Sequence, residues 1–433
     1  MDGKTENITE HFADIYKNLY NSVDDGDEIE ILKDEVNLLI NINNLEDVDK
    51  VTPTIVKSAT KNLKTGKTDP ACDFSSDCLL NAPDKLFEHL SIIIKAFLIH
   101  AHVTKLLLLA TLVPIIEDKL ANINTSKNYR SIALSSLILK MFDWIIILLF
   151  GATLALDNLQ FAYQANCSAT MCSWMAIETI SYFMRNGSEV YSCLKDMTKA
   201  FDLVRHSLLF KKMLEVGLSA IFIRLLLVSY SLQFANVRWN SEFSENFSIT
   251  NGVKQGAVLS GFLYCFYCNQ LFQRLRNSKL GCWINEDYLG IFGYSDDNFL
   301  LAPSLGALQG MLKICENYAN EHGLKFSTDP NPRKCKTKCI AFLHQERELR
   351  NLILCGNPLP WVTDGKHVGH CIENVSNGMK HDMKVKRDGY IGKNNELLQE
   401  FHFAHFETKL RVNQIFNCHF TGAPLWDLFC DNF

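Results

Sequence analysis

Tyr294-Ser295-Asp296-Asp297 places two adjacent carboxylates between the apolar runs Leu289 to Gly293 and Phe299 to Ala302, a pattern that reads as the tip of a β-hairpin. Adjacent acids in a turn are usually no more than solvated, because Asp hydrogen-bonds its own backbone there. A third acid changes the reading. Asp196 follows the strand-like run Glu189-Val190-Tyr191-Ser192-Cys193-Leu194, in which alternate residues can pack while the acid projects from the strand's end. Acids on a strand and on a neighbouring hairpin can converge on two divalent cations, the arrangement that in-line phosphoryl or nucleotidyl transfer requires.

Three strings surround these acids in order: Leu194-Lys195-Asp196-Met197-Thr198-Lys199-Ala200-Phe201-Asp202-Leu203-Val204-Arg205-His206, then Asn251-Gly252-Val253-Lys254-Gln255-Gly256-Ala257-Val258-Leu259-Ser260, then Gly293 to Asp297. Together they resemble motifs A, B and C of the reverse transcriptases of non-LTR (LINE-type) retrotransposons. Upstream, Val113-Pro114 through Asn128-Tyr129-Arg130-Ser131-Ile132 is similar to that family's fingers segment. Downstream, Gly323-Leu324 through Lys334-Cys335-Lys336-Thr337-Lys338 looks like motif D, and Leu359-Pro360-Trp361 through His367-Val368-Gly369 looks like motif E. The resemblance runs from Phe12 to the end and is most specific in the middle.

The resemblance implies an α+β chain with a right-hand polymerase fold. It predicts an antiparallel palm sheet with helices on one face, helical fingers and a partial helical thumb. The expected division is an acidic N-terminal segment over 1–50, an N-terminal extension and fingers over 51–190, a palm carrying motifs A to E over 191–372, and the partial thumb over 373–433. Local periodicity adds helices over Ile8 to Tyr20, Ser91 to Leu109, Ser135 to Phe150, Leu208 to Leu214, Gly261 to Leu275 and Ala307 to His322, with Gly217 and Gly323 as left-handed caps.

By the same resemblance, Asp196 and Asp296 would hold two Mg²⁺ ions, with Mn²⁺ as a substitute and Asp297 as a more peripheral ligand; hard oxygen donors suit these ions. Phe201 stands where the family has an aromatic that blocks a ribose 2′-hydroxyl, and a Phe packed in the core is the competing reading. Gln255 and Gly256 would lie near the templating nucleotide, although a tight turn before a helix explains the glycine equally well. Arg130 matches the fingers arginine that clamps a triphosphate. Lys334 or Lys336 matches the motif D lysine that donates a proton to pyrophosphate. At the usual place of a triphosphate-binding lysine the chain has Glu117, with Lys119 as the substitute for that charge. Either Glu117 faces the phosphates and weakens binding, or it points into solvent and Lys119 fills the role.

The implied partners are an RNA template, a DNA primer and dNTP. An endonuclease, which members of this class often carry ahead of the polymerase, would come from a separate source, as expected for a truncated or derived copy. The alternative function is a catalytically weak or inactive, RNA-binding descendant.

Composition agrees with these expectations without generating them. The formal charge of -5 hides a division, since the first 50 residues hold 14 Asp or Glu against four Lys and the remainder is net basic. Arg333, Lys334, Lys336, Lys338, Lys380, Lys384, Lys386 and Arg387 concentrate that basic character late in the chain, as phosphate binding requires. Fifteen cysteines and no apolar N-terminal signal point to reduced thiols in the nucleus or cytoplasm, not to a secreted protein. Cys265 and Cys268 have zinc-like spacing in an apolar helix and read as buried thiols; His367, His370 and Cys371 lack a second nearby pair, and no zinc is expected. Trp144 to Leu156 is too short to span a membrane and reads as a buried helix.

Overall fold

The computed structural model describes residues 5–23, 25–42, 46–70, 72, 74–117, 122–374 and 380–416. The chain divides into two compact units, each assembled from alternating segments. One comprises Met1–Leu156, Lys199–Cys268 and Glu321–Leu324; the other comprises Asp157–Thr198, Asn269–Asn320 and Lys325–Phe433.

In the first unit, the strand Leu109–Ile116 pairs antiparallel with Tyr129–Leu134 and parallel with Phe234–Trp239. Glu242–Phe243 and Phe247–Ser248 add to the Phe234–Trp239 strand. The helix Thr5–Tyr20 presents Phe12, Tyr16 and Tyr20 to Ala110, Leu112, Ala133, Ala235 and Val237 in one core. Phe12 stacks on Trp239 at 5.4 Å and meets Tyr129 edge-on at 5.1 Å. Burying a side chain of this size contributes about 1.5–3 kcal/mol, so the first helix is bound into the unit and does not hang from it as an acidic tail.

The stretch expected to form helical fingers, within 51–190, contains the paired strands Leu109–Ile116 and Tyr129–Leu134. The run Leu106-Leu107-Leu108-Leu109-Ala110-Thr111-Leu112-Val113 is apolar apart from Thr111, and such a run suits a buried strand as well as a helix. The helix expected over Ser91 to Leu109 is in fact Asp84–His100, ended by Ala101 at φ 47, with a separate turn at Lys105–Leu108 before the strand. Other helices agree closely with the periodicity: Leu137–Phe150, His206–Glu215 followed by Gly217 at φ 85, Val258–Asn277, and Leu305–His322 followed by Gly323 at φ 68. Among the described residues, no helix is long and apolar enough to cross a membrane.

The second unit is built on a four-stranded antiparallel sheet, in the order Lys338–Phe342, Val190–Lys195, Asp297–Ala302, Ile291–Tyr294. All six residues of Val190–Lys195 are buried, as suits a central strand covered on both faces. The helix Ala169–Arg185 packs on Ile291–Tyr294 and Val190–Lys195. A hairpin of Asp364–His367 with His370–Glu373 carries the expected motif E residues, and the helices Lys380–Glu400 and Phe406–Phe416 pack on each other. Of the partial thumb expected over 373–433, residues 375–379 and 417–433 lie outside the described residues.

Candidate active site

The carboxylates singled out in the sequence gather at one end of the four-stranded sheet. Lys195 is the last residue of its strand, and its partner across the ladder is Asn298. Asp196 directly follows Lys195, and Asp297 directly precedes Asn298. Asp296 occupies the hairpin tip with Ser295, between the paired residues Tyr294 and Asp297. Asp196 and Asp296 are half-buried, and Asp297 is exposed.

Backbone contacts hold each acid in place. The Asp196 N–H donates to the Thr337 hydroxyl at 3.3 Å, while its carbonyl accepts from the Ser327 N–H at 3.0 Å. At the hairpin, Ser295 adopts φ 61, a left-handed conformation that a residue with a Cβ enters only when its surroundings enforce it. Gln160, 1% exposed, supplies that enforcement. Its Oε1 accepts from the Ser295 N–H at 2.8 Å, and its Nε2 donates back to the Ser295 carbonyl at 3.3 Å. Asn298 Nδ2 donates to the Asp296 carbonyl at 3.0 Å. Gly293 is required as well, since a Cβ there would lie 2.6 Å from Phe272 Cζ and 2.9 Å from Asn298 Oδ1.

Carboxylate oxygens are the donor type that Mg²⁺ and Mn²⁺ prefer, so the residues present fit hard divalent cations. Among the described residues, however, no three or more His, Cys, Asp or Glu side chains are close enough together to hold a metal ion. The triad shares a sheet end without closing into a ligand group.

Within the first unit, the segments of motifs A and B are tied together through their backbones. The Val253 N–H donates to the Phe201 carbonyl at 2.8 Å, the Gly252 N–H to the Val204 carbonyl at 2.8 Å, and Asn251 Nδ2 to the Asp202 carbonyl at 2.7 Å. Gly252 at φ 85 and Gly256 at φ 106 both occupy left-handed positions. A Cβ on Gly252 would fall 2.7 Å from the Asp202 carbonyl oxygen, and one on Gly256 2.9 Å from that of Ala133. The close approach these glycines permit is to the chain's own backbone. Gln255 is half-buried, and its carbonyl accepts from the Ala133 N–H at 2.7 Å. Phe201 is half-buried and stacks on the buried Tyr264 at 4.7 Å. Burial pushes the Asp202 carboxyl up to about 6, against the opposing pull of nearby Tyr20, Lys199 and Arg130. His206 is buried with its Nε2 2.7 Å from the Gly252 carbonyl, and burial lowers its pKa to about 4.

Glu117 neither lies idle in solvent nor stands alone. It is ion-paired with Arg130 at 2.6 Å, across the strand pair in which Ile115 faces Arg130. Lys119 lies outside the described residues. Lys334 and Lys336 are both exposed, on the segment that follows Asn331.

Sequence reasoning missed two groups. Gln160 clasps the hairpin tip at Ser295 from 135 residues away, and no local pattern announces it. Asp25 is buried and binds three groups: Arg205 at 2.9 Å, the Ser207 N–H at 2.7 Å and the Ser207 hydroxyl at 2.6 Å. It thereby ties the N-terminal segment to the residues that follow motif A. Its sole signal is an acid beside helix-start residues elsewhere in the chain.

The buried central strand Val190–Lys195 thus leads into one acid beside an acidic hairpin. Residues 119–363 match the family described as reverse transcriptase (RNA-dependent DNA polymerase), and the chain belongs to that family. It is 26% identical over 222 residues to the Retrovirus-related Pol polyprotein from type-1 retrotransposable element R2 of Bradysia coprophila, covering 51% of this chain and 25% of that protein. It is 21% identical over 211 residues to the Retrovirus-related Pol polyprotein from type-2 retrotransposable element R2DM of Drosophila melanogaster, covering 49% of this chain and 20% of that protein. The matches thus span a quarter or less of either relative's length.

Proposed function

We propose that this chain is the reverse transcriptase region of a non-LTR retrotransposon, extending a DNA primer on an RNA template by transfer of nucleotides from dNTP. What supports the reading most is the intact acid triad, with Ser295 and Asp296 clasped at the hairpin tip by Gln160 and Asn298, inside a matched reverse transcriptase region. In this reading Asp196 and Asp296 hold two Mg²⁺ ions, with Asp297 peripheral. Bound there, the ions would lower the pKa of the primer 3′-hydroxyl and neutralise the leaving pyrophosphate. The protein's own part is positioning. The backbones of Asp196 and of the hairpin are fixed by hydrogen bonds, so that side-chain rotation alone would bring their carboxylates to the ions.

Phe201 would screen the sugar, its ring braced by Tyr264. Gln255 and Gly256 would contact the nucleotide from a turn pinned at Ala133. Arg130 would clamp the triphosphate, Lys119 would add charge there, and Lys334 or Lys336 would protonate pyrophosphate. The Arg130–Glu117 pair favours a weak enzyme, because incoming phosphate must compete for an arginine already in partnership. Primer extension on an RNA template with dNTP and Mg²⁺ tests the reading. Incorporation that requires both template and metal supports it, and none under either metal leaves a non-catalytic RNA-binding role.

A further inference from the structure

Beneath the motif B turn lies a recess of about 50 Å³ that none of the roles above uses. Its polar wall consists of Ser135, Asp143, Tyr230, Gln233, Lys254 and Ser260. Ser135 and Gln233 are 5% and 3% exposed, yet Ser135 Oγ and Gln233 Nε2 find no hydrogen-bond partner within the protein. A buried polar group left unpaired is costly, so groups of this kind are normally met by ordered water. The recess has room for roughly three to five waters at about 10–15 Å³ each.

The position of the recess gives it a consequence. Asp143, on the helix Leu137–Phe150, accepts the Leu259 N–H at 3.3 Å, at the start of the helix Val258–Asn277. A carboxylate at a helix N-terminus satisfies an otherwise orphaned donor and is favoured by the helix dipole. Lys254 enters the same recess from the other end of the turn Lys254-Gln255-Gly256-Ala257. The turn is also anchored by the bond from the Ala133 N–H to the Gln255 carbonyl, two residues before Ser135.

We propose that Asp143 and Lys254 are positioning residues for the Gln255–Gly256 turn, coupled through a water cluster held by Ser135 and Gln233. The proposal rests on the polymerase reading only for its kinetic consequence. Structurally, the turn is held at both ends by opposite charges that share one hydrated recess. Burial pushes the Asp143 carboxyl up to about 7 and the Lys254 ammonium down to about 8. Lys140 on Asp143's own helix, Lys254 and Tyr230 face the acid; Asp69, Lys67 and Lys64 stand around Lys140, and His206 lies near Lys254. As pH falls through about 7 the acid loses its charge, and as pH rises through about 8 the lysine loses its own. The turn is therefore best held between those values.

The test joins kinetics with hydrogen exchange. Asp143→Asn is expected to raise the KM for dNTP roughly five- to tenfold while kcat stays within about twofold, as loss of binding-site order predicts. The wild-type KM is expected to rise on the acid side of neutrality, and Asp143→Asn to abolish that rise. In the free protein, amides of 257–260 should exchange faster in Asp143→Asn than in the wild type. Ser135→Val, which displaces the waters and keeps both charges, should loosen the same amides and serves if Asp143→Asn fails to fold. Exchange at 257–260 unchanged in the folded variants overturns the proposal whether or not the protein polymerises, and so does a wild-type KM and pH profile in an active Asp143→Asn protein. Absence of primer extension in the wild type and in both variants, with faster exchange at 257–260 in the variants, overturns the polymerase reading alone.

Discussion

In the proposed reading, the Glu117–Arg130 ion pair tunes triphosphate binding without removing the arginine. Exposed ion pairs contribute about 0–1 kcal/mol, so their pairing is weak enough for a triphosphate to displace, but it takes away part of the arginine's attraction. Glu117→Gln should remove the charged partner that competes with phosphate for Arg130 and lower the KM for dNTP by roughly two- to fivefold with kcat unchanged, the range that such an energy spans. An unchanged KM would move the phosphate contact away from Arg130, with Lys119 next to be tested. Phe201 poses a different question, since its ring stacks on Tyr264 at 4.7 Å and could be a sugar screen or a piece of core. Phe201→Ala should admit ribonucleotides while dNTP incorporation persists, because a steric wall discriminates only while it stands. An active variant that still rejects rNTP would return Phe201 to packing.

The element that matters most is the hairpin Ile291–Tyr294 with Asp297–Ala302, whose tip carries Asp296. Its turn is held from outside by Gln160 and from within by Asn298, and Gly293 leaves space for both contacts. Gly293→Ala should cost about 1–3 kcal/mol by overpacking against Phe272 and Asn298, read as an earlier urea unfolding midpoint, and should lower activity in the protein that remains folded. A midpoint and activity both equal to the parent's would show that the turn does not depend on that close fit.

This hairpin also marks what was legible beforehand. The strand Val190–Lys195, the hairpin and the helix His206–Glu215 each follow from apolar periodicity and turn chemistry within about a dozen residues. Gln160, the parallel pairing of Leu109–Ile116 with Phe234–Trp239 and the Asp25–Arg205 contact join residues more than a hundred positions apart, where no local pattern reaches. The break at Ala101 was hidden for another reason. The apolar run after it satisfies helix and strand alike, and pairing decides between them.

Across the molecule, charge is arranged more usefully than the net value of -5 suggests. Part of the acidic N-terminal segment is structural: Asp25 and Glu28 both engage Arg205. The late basic residues include the exposed Lys334 and Lys336, suited in the proposed reading to a phosphate backbone. Every functional assignment nonetheless returns to nucleotidyl transfer at Asp196, Asp296 and Asp297. The most direct test is single-turnover primer extension on an RNA template with Mg²⁺, comparing the parent with Asp296→Asn. Loss of one acid from a group that acts as a unit should cut the rate by several orders of magnitude, on the order of 10³-fold or more, while primer–template binding is retained. Extension by Asp296→Asn at the parental rate would contradict the assignment of the hairpin acid to the reaction.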